Sequence, residues 1–349
     1  MNKRKLYILI SAAIILLFFL CSGVYQGMRH YHYRYSNMLS LDGKEHGYFI
    51  YPACSLDSVF ALVRDDYRIT SEHAFEKDLK RVPFSHPEPG YYLFPAEMGN
   101  RTLFQRIRLG EQTPVKLRFR NTIRTNEQLA GRLAKQLLTD SASIVALLHD
   151  DSFLVRYGMN RETARCLFIA DTYEVYWTMT PEQLFDRMYR EYKRFWNSTR
   201  RKEADRIGLT PQEVYTLASI VTSETTKPFE YPIIAGLYLN RMRIGMHLQA
   251  CPTAIYASGK FNARRVTHQM TATNSPYNTY INPGLPPGAI RITTAEVIDS
   301  TLHATKSNYL YMCANPDFSG THIFSDTYSK HALTARQYQR ELNKRKIRQ

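Results

Sequence analysis

The sequence predicts a mixed α+β protein with a single N-terminal transmembrane helix followed by two folded units. Three observations lead to this prediction. A cationic tip precedes an uncharged apolar run over residues 6–25, and beyond it short strand-like runs are interspersed with amphipathic helical segments. The 349 residues suffice for two ordinary domains of roughly 100 to 200 residues each. With 44% hydrophobic and 22% charged residues, the composition excludes a mainly disordered chain.

The apolar run at residues 6–25 is the predicted membrane helix. At a rise of about 1.5 Å per residue, a helix of this length covers the ~30 Å hydrocarbon core of a bilayer. A cleaved signal peptide is the alternative, because Ser22 and Gly23 form a weak cleavage site. Lipidation of Cys21 is disfavoured, since the bulky Leu20 precedes it. The run therefore predicts an uncleaved anchor.

The flanking cations predict the orientation of this helix. Lys3, Arg4 and Lys5 stand at one end, and Arg29 and Arg34 at the other. Because the first group and the amino terminus outweigh the second, the N-terminus is expected in the cytoplasm and the chain from about residue 26 outside it. The expected location is the inner membrane of a bacterium, with one pass and the folded part periplasmic or extracellular.

The charge balance indicates an anionic partner. Lys and Arg outnumber Asp and Glu by 46 to 31, which gives a net charge of +15. For an exported chain the abundant anionic polymer is the cell wall, so no nucleic acid is expected as a partner. Four exported cysteines have no metal or redox spacing, which leaves buried thiols and one disulfide as alternatives, and neither a metal nor a cofactor is expected. These are Cys54, Cys166, Cys251 and Cys313.

Composition and pattern divide the chain into five segments. They are the cytoplasmic tip and membrane helix at 1–25, a tether at 26–45, a first folded unit at 46–113, a second at 114–343 and a basic tail at 344–349.

The first unit reads as strand, helix, helix, strand and a further helix. The corresponding segments are 48–52, a helix from 55, 74–82, 91–94 and 100–110. The order strand, helix, helix, strand resembles a LysM-like module, a small domain that binds glycan chains.

The second unit begins with an alternating strand and continues with several helices. The predicted elements are a strand at 115–119, helices at 126–138 and 143–148, a strand-like segment at 168–176 and a helix at 181–197.

The most informative helix follows these elements. Thr210 and Glu213 form a capping box with Pro211 at the first helical position, and Pro228 marks the expected end. Glu224 lies on the apolar face of this helix, which is formed by Val214, Leu217, Ile220 and Val221. Burial would raise the pKa of such a carboxyl, and this suits a general acid. The alternative is that Glu224 pairs with an arginine or caps a neighbouring helix.

Polar residues beyond this helix are candidates for substrate contact. Asn240 lies on the next helix, and Gln249 and Thr253 lie in a loop, where they either meet sugar hydroxyls or only close the loop.

The segment 277–288 is too rich in Pro and Gly for a helix or central strand and reads as a cleft wall. In it Tyr277, Asn278 and Tyr280 are candidates for stacking on a glycan and bonding to it, with a purely structural loop as the alternative. His322, the last candidate for substrate contact, is placed on a strand that forms a hairpin with residues 309–313. The alternative is a structural role, which is more common for a lone histidine.

A series of sequence blocks resembles the membrane-bound endolytic murein transglycosylases, the MltG or YceG-like family. The blocks lie at residues 217–224, 235–249, 252–256, 275–290 and 321–331. The resemblance extends more weakly over nearly the whole chain, and it places Glu224 at the position of the catalytic glutamate of the family.

Three positions depart from the family pattern. Thr222 stands where a second glutamate is usual, Cys251 where an acidic residue precedes the Pro-Thr pair, and Ala332 where an asparagine follows the histidine. Glu224 is therefore the carboxylate left for the catalytic role.

The resemblance implies cleavage of the β-1,4 bond between N-acetylmuramic acid and N-acetylglucosamine in nascent glycan strands, with 1,6-anhydro ends as products and termination of the growing chain as the role. It implies peptidoglycan synthases (penicillin-binding proteins) as partners. Two alternatives stay open: a hydrolytic muramidase, for which Glu230 is the nearest second carboxylate, and a non-catalytic wall-binding scaffold.

Overall fold

A computed structural model describes residues 3–82, 84–263 and 265–345. The chain folds into two compact units. The first contains the described residues up to Val115 together with Glu174–Thr178, and the second contains 116–173 and the described residues from Met179 onward. No sequence feature indicates that the short segment Glu174–Thr178 belongs to the first unit.

Helix α1 (Lys3–Ser36) dominates the N-terminus. Among the described residues it is the one helix long and apolar enough to cross a membrane, with a mean hydropathy of 2.5 in its most apolar window and none of that window buried. Such a helix serves as a membrane anchor or a signal sequence. Residues 26–36 continue this helix instead of forming the predicted irregular tether, because no proline interrupts them.

The first unit contains two small antiparallel sheets, with strand orders β3-β1-β5 and β2-β4. Its elements are β1 (Met38–Ser40), β2 (His46–Ile50), α2 (Leu56–Asp66), β3 (Tyr67–Ile69), α3 (Glu72–Arg81), β4 (Gly90–Phe94), β5 (Glu97–Met98) and α4 (Asn100–Leu109). The five elements predicted for residues 48–110 are all present. The sequence missed β1, β3 and β5, since strands of two or three residues are too short to show alternation.

An aromatic cluster fills the core of the first unit. The rings of Phe60, Phe75 and Phe104 make edge-to-face contacts at 5.0 to 5.8 Å. Asn37, directly after α1, is fully buried and donates to Asn100 Oδ1 at 3.0 Å. Its own Oδ1 accepts a hydrogen bond from the Thr70 hydroxyl at 2.7 Å. The end of α1 is therefore fastened to the core of this unit.

The second unit is mainly helical. Strands β6 (Val115–Arg118) and β7 (Thr172–Val175) pair, as do β8 (Tyr311–Ala314) and β9 (His322–Ser325), the latter antiparallel. The helices are α5 (Asn126–Ala134), α6 (Ser141–His149), α7 (Asp151–Leu154), α8 (Pro181–Phe195), α9 (Ser198–Arg206), α10 (Pro211–Glu224), α11 (Tyr231–Arg243), α12 (Cys251–Ser258), α13 (His268–Thr271), α14 (Ala295–Leu302) and α15 (Tyr328–Lys344). The predicted β8–β9 hairpin and the irregular segment 277–288 are confirmed.

Helix α10 runs through the core of the second unit, and every residue from 214 to 222 is buried. The predicted capping box of Thr210 and Glu213 is present. The buried hydroxyl of Tyr215 donates to the carbonyl of Phe168 at 2.7 Å and accepts from the N–H of Thr293 at 3.1 Å. These bonds fix α10 to the chain on both sides, so its C-terminal residue has a defined position.

The C-terminal ends of two helices differ from the prediction. Helix α10 ends at Glu224, earlier than Pro228 suggests, because Thr225 has an extended backbone with φ −142°. Helix α15 continues to Lys344, the first residue of the predicted basic tail, and residues 346–349 of that tail lie outside the described residues.

Candidate functional site

Glu224 is the last residue of α10 and is half-buried. Burial raises the pKa of its carboxyl above the ordinary value of 4.5. A hydrogen bond of 2.6 Å from the Tyr238 hydroxyl to Oε1 opposes this rise, as do the positive charges of His322 and Arg241. Burial is the largest of these effects, so the side chain retains its proton to higher pH than an exposed glutamate. This is the property that a general acid needs.

The helix after the acid supplies two of these neighbours. Tyr238 and Arg241 are three residues apart on α11 and therefore share a face. The Arg241 guanidinium is buried and donates to the carbonyls of Leu310 at 2.6 Å and Leu248 at 2.7 Å. Arg241 thus joins α11 to the β8–β9 hairpin and to the loop before α12, and so holds together the segments that surround Glu224.

Cys251 and Tyr280 form a second pair near the acid. The Cys251 sulfur lies 3.2 Å from the Tyr280 hydroxyl. Burial raises the pKa of both groups, and the negative charge of Glu224 raises both further, so the two side chains lie within electrostatic range of the carboxylate. The structure therefore brings Tyr280, predicted as a glycan contact, close to Glu224. The contact with substrate itself stays a prediction.

His322 and Glu230 form a third pair. Oε1 of Glu230 accepts the backbone N–H of His322 at 2.6 Å, and Oε2 lies 3.1 Å from Nδ1 of the same residue. The Glu230 side chain is 0% exposed and the His322 side chain 16% exposed. His322 thus keeps an edge at the surface, while Glu230 is enclosed.

The predicted contact residue Asn240 has its amide turned inward. Its Nδ2 donates to the carbonyls of Ser307 at 2.8 Å and Tyr309 at 3.0 Å. Both amide protons are therefore used to hold the segment before β8. This geometry favours support of the site over direct bonding to a sugar.

Asn278 is similar, since it is fully buried and donates to the carbonyls of Thr271 at 3.0 Å and Thr273 at 2.8 Å. The hydroxyl of Thr253, also fully buried, donates to Ala250 O at 2.7 Å and lies 2.7 Å from the Thr279 hydroxyl. Asn278 shapes the loop of the site from within, which corresponds to the structural alternative for that segment. The predicted loop position of Thr253 is wrong, because Thr253 lies in the first turn of α12 and its hydroxyl bonds back to the carbonyl three residues earlier.

The other two predicted contacts are more open. Gln249 is exposed and has a left-handed backbone with φ 47°, which is uncommon for a residue other than glycine. The Tyr277 ring packs against Tyr256, with centroids 4.7 Å apart, and burial raises the pKa of Tyr277 to about 12. Substrate contact by either residue stays a prediction.

Sequence reasoning missed Tyr238 as the partner of Glu224 and Glu230 as the partner of His322. The signal for Tyr238 was its spacing of three from Arg241 on a helix that follows the acid directly. No comparable signal marks Glu230, because its partner lies 92 residues further along the chain.

All five cysteines are free thiols in the structure. For the four cysteines beyond residue 25, the alternatives are buried thiols and one disulfide. Cys166 is a buried thiol, whereas Cys251 is exposed. Within the described residues, no group of three or more His, Cys, Asp or Glu side chains is arranged to hold a metal ion.

The fold and this site are those of a mixed α+β protein that presents one half-buried carboxyl at the end of a central helix. A model of the YceG-like family matches residues 49–337. The chain belongs to the YceG-like family, since the match covers well over half of its length.

Named relatives agree with this assignment. The chain is 25% identical over 305 residues to the endolytic murein transglycosylase of Bacillus subtilis (strain 168), a match that covers 81% of this chain and 82% of that protein. It is 33% identical over 152 residues to the endolytic murein transglycosylase of Streptococcus pneumoniae serotype 2 (strain D39), covering 41% of this chain and 27% of that protein. The crystal structure of the yceG-like protein lmo1499 from Listeria monocytogenes matches with a TM-score of 0.54 at 25% identity, covering 83% of this chain and 98% of that one.

Proposed function

We propose that this protein is an endolytic murein transglycosylase that cleaves the bond between N-acetylmuramic acid and N-acetylglucosamine and leaves 1,6-anhydro ends. The observation that carries the proposal is Glu224, whose pKa is raised by burial and whose Oε1 accepts the Tyr238 hydroxyl at 2.6 Å. The similarity to the Bacillus subtilis transglycosylase over 305 residues supports the same activity.

In the proposed reaction Glu224 first acts as a general acid. Its proton goes to the glycosidic oxygen, and the bond from that oxygen to C1 of the muramyl unit breaks. The resulting carboxylate then takes the proton from the muramyl C6 hydroxyl, whose oxygen forms a bond to C1. The glutamic acid is regenerated and no water is consumed, so one carboxyl is sufficient where ordinary glycosidases use two.

The neighbours of Glu224 assist the step after the proton has left. The Tyr238 hydroxyl and the positive charge of Arg241 each favour the ionised carboxylate. Burial favours the neutral acid, and these groups favour the anion that forms during bond cleavage. The site is thus suited to a carboxyl that alternates between the two forms.

The main alternative, a hydrolytic muramidase, would use Glu230 as its second carboxylate. The Glu230 side chain is 0% exposed, and both of its oxygens accept internal hydrogen bonds. A general base must reach the water that it activates. The enclosure of Glu230 therefore favours the transglycosylase over the muramidase.

The remaining parts of the chain define where this reaction takes place. Helix α1 is proposed as an uncleaved anchor with its N-terminus in the cytoplasm of a bacterium. The first unit is proposed to bind glycan strands as a LysM-like module. Peptidoglycan synthases are the proposed partners, and termination of nascent strands is the proposed role. A reporter fused after Gln349 that is active in the cytoplasm would contradict this topology.

Analysis of the reaction products tests the proposed activity. Full-length protein in detergent is incubated with uncross-linked glycan strands, and the fragments are analysed by mass spectrometry. A transglycosylase yields internal cuts with 1,6-anhydro ends, which are lighter by one water than the reducing ends of a muramidase. Reducing ends would support the muramidase, and uncut strands retained on the protein would support a wall-binding scaffold.

A further inference from the structure

Glu230 is an enclosed carboxylate that the proposed reaction does not use. It closes the single 3₁₀ turn Pro228–Glu230 between α10 and α11. Its Oε1 accepts the N–H of His322 at 2.6 Å, and its Oε2 accepts the hydroxyl of Thr225 at 2.6 Å. A buried carboxylate is costly unless it is well hydrogen-bonded, and these contacts meet that requirement.

The direction of each of these hydrogen bonds is fixed. A backbone N–H can only donate. The Thr225 oxygen already accepts the N–H of Lys227 at 3.0 Å, so its own proton is directed to Glu230. The third neighbour is His322 Nδ1, 3.1 Å from Oε2. An ionised carboxylate only accepts, so beside a Glu230 carboxylate Nδ1 carries the ring proton, and in the neutral form of the ring Nε2 lacks one.

The position of His322 makes the tautomer relevant to the site. His322 is the first residue of β9, and its side chain is 16% exposed. The ring lies near the acid, because the hydroxyl of Thr225, the residue directly after Glu224, and His322 Nδ1 both contact Oε2 of Glu230. An Nε2 without a proton is a hydrogen-bond acceptor near the carboxyl that donates to the glycosidic oxygen.

We propose that Glu230 is a positioning residue, which holds His322 as the Nδ1–H tautomer and so presents Nε2 as an acceptor for a sugar hydroxyl beside Glu224. The proposal rests on the proposed function, because the ligand is the glycan strand of that reaction. It assigns the hydroxyl-accepting role to the ring and the orienting role to the enclosed carboxylate.

The substitution Glu230→Gln is expected to invert the tautomer. The N–H of His322 still requires an acceptor, so the amide oxygen takes the place of Oε1 and the NH₂ group takes the place of Oε2. The two N–H bonds of that group then point to Nδ1 and to the Thr225 oxygen, the Thr225 proton turns away from the side chain, and the ring proton moves to Nε2. Glu230→Asp keeps a carboxylate that only accepts, so the original tautomer is expected to remain.

Nitrogen-15 NMR of the neutral histidine rings, recorded on the full-length protein in alkaline buffer, measures the tautomer. The signals of His322 among the 11 histidines are identified by their loss in His322→Gln. The parent is expected to show Nδ1–H and Glu230→Gln to show Nε2–H. A parent with Nε2–H overturns the proposal, and so does a folded Glu230→Gln with an unchanged tautomer. If Glu230→Gln fails to fold, the tautomer of His322 in the parent spectrum still tests the proposal.

Kinetics with uncross-linked glycan strands give the second readout. For Glu230→Gln we expect KM to rise about 10-fold with a smaller change in kcat, as for the loss of a binding interaction, and we expect Glu230→Asp to recover part of the loss. Glu213→Gln, an exposed glutamate on α10, is the control. An inverted tautomer with unchanged KM overturns the assigned role.

Experiment can distinguish a failure of this inference from a failure of the proposed function. If the parent forms no anhydro ends while its His322 has the expected tautomer, the proposed function fails. Glycan affinity is then measured in the Glu224→Gln background, where no turnover occurs, with and without the Glu230→Gln substitution. Equal affinities of Glu224→Gln and of the double variant Glu224→Gln with Glu230→Gln overturn the inference.

Discussion

The hydroxyl of Tyr238 donates a hydrogen bond of 2.6 Å to Oε1 of Glu224 and so joins the last residue of α10 to the middle of α11. Each residue perturbs the other, because burial and the carboxylate both raise the pKa of the tyrosine well above 10.0. The tyrosine therefore stays protonated and remains a donor whatever the state of the acid. Glu224 keeps one fixed hydrogen bond through both halves of the proposed reaction.

Replacement of the acid is the most direct test of its role. Glu224→Gln keeps the size of the side chain but removes its titrating proton, so the rate of anhydro-product formation should fall by about 10² to 10⁴. The measurement is mass spectrometry of products over time. Glu213→Gln is the matched control on the same helix, and its activity should be close to that of the parent. A parental rate in Glu224→Gln would show that another group is the acid.

The raised pKa of Glu224 also predicts how stability depends on pH. Between the ordinary value of 4.5 and the higher pKa of the folded state, the folded protein binds more protons than the unfolded chain. The contribution of this group to the free energy of unfolding is therefore present at low pH and decreases as the pH rises through the folded pKa. In Glu224→Gln this pH-dependent decrease in the free energy of unfolding is absent, because the amide does not titrate.

Denaturation of parent and Glu224→Gln at several pH values measures the effect. The stability of the variant relative to the parent should rise as the pH increases from the ordinary value of 4.5 through the raised pKa of folded Glu224. A relative stability that falls over this interval would mean that the pKa of Glu224 is lowered on folding.

Removal of the tyrosine hydroxyl should move the pH profile in a defined direction. The Tyr238 hydrogen bond lowers the pKa of Glu224, so Tyr238→Phe should raise it further and shift the alkaline limb of kcat/KM to higher pH. Loss of one hydrogen bond to the reacting group should also reduce kcat about 5- to 10-fold. Tyr309→Phe, on the segment before β8, serves as a control for loss of a tyrosine hydroxyl. A shift of the limb to lower pH would contradict the assigned effect.

The junction after α1 should contribute to the stability of the first unit. Asn37→Ala removes the side-chain hydrogen bonds to Asn100 and Thr70 and leaves the oxygen of the fully buried Asn100 without its donor. The free energy of unfolding should fall by about 1 to 3 kcal/mol, measured by thermal or denaturant unfolding. Lys77→Ala, at an exposed position on α3, should change it by less than about 0.5 kcal/mol. Equal stability of the two variants would show that Asn37 is dispensable.

Local signals predicted the parts of the site that depend on one helix. Thr210 and Glu213 located the start of α10, and apolar spacing located Glu224 on its inner face. The partners of Glu224 depend on how α11 crosses α10 and where β9 returns, and these are tertiary relationships. The Glu230–His322 pair is therefore not visible in the sequence, and the only signal for the Tyr238 contact is the spacing of Tyr238 from Arg241.

Three polar residues near the site show a second limit of sequence reasoning. Asn240, Asn278 and Thr253 are polar residues beside the site, and composition suggests that they contact a polar ligand. In the structure their donors bond to backbone carbonyls. A loop without regular secondary structure must satisfy its own backbone groups, and short polar side chains serve that need as readily as they serve a substrate.

As the proposed membrane anchor, α1 would limit how far the first unit can move from the bilayer, because the helix runs directly into that unit. With residues 6–25 in the hydrocarbon core, the helix continues to Ser36, and Asn37 is already in the core of the unit. At about 1.5 Å per residue, the 11 residues from 26 to 36 give a rigid stalk of roughly 16 Å. The length of this stalk sets the distance between the first unit and the membrane surface. The proposed glycan-binding unit would sample strands in the layer next to the membrane, where new material emerges, and would not reach the mature wall beyond it.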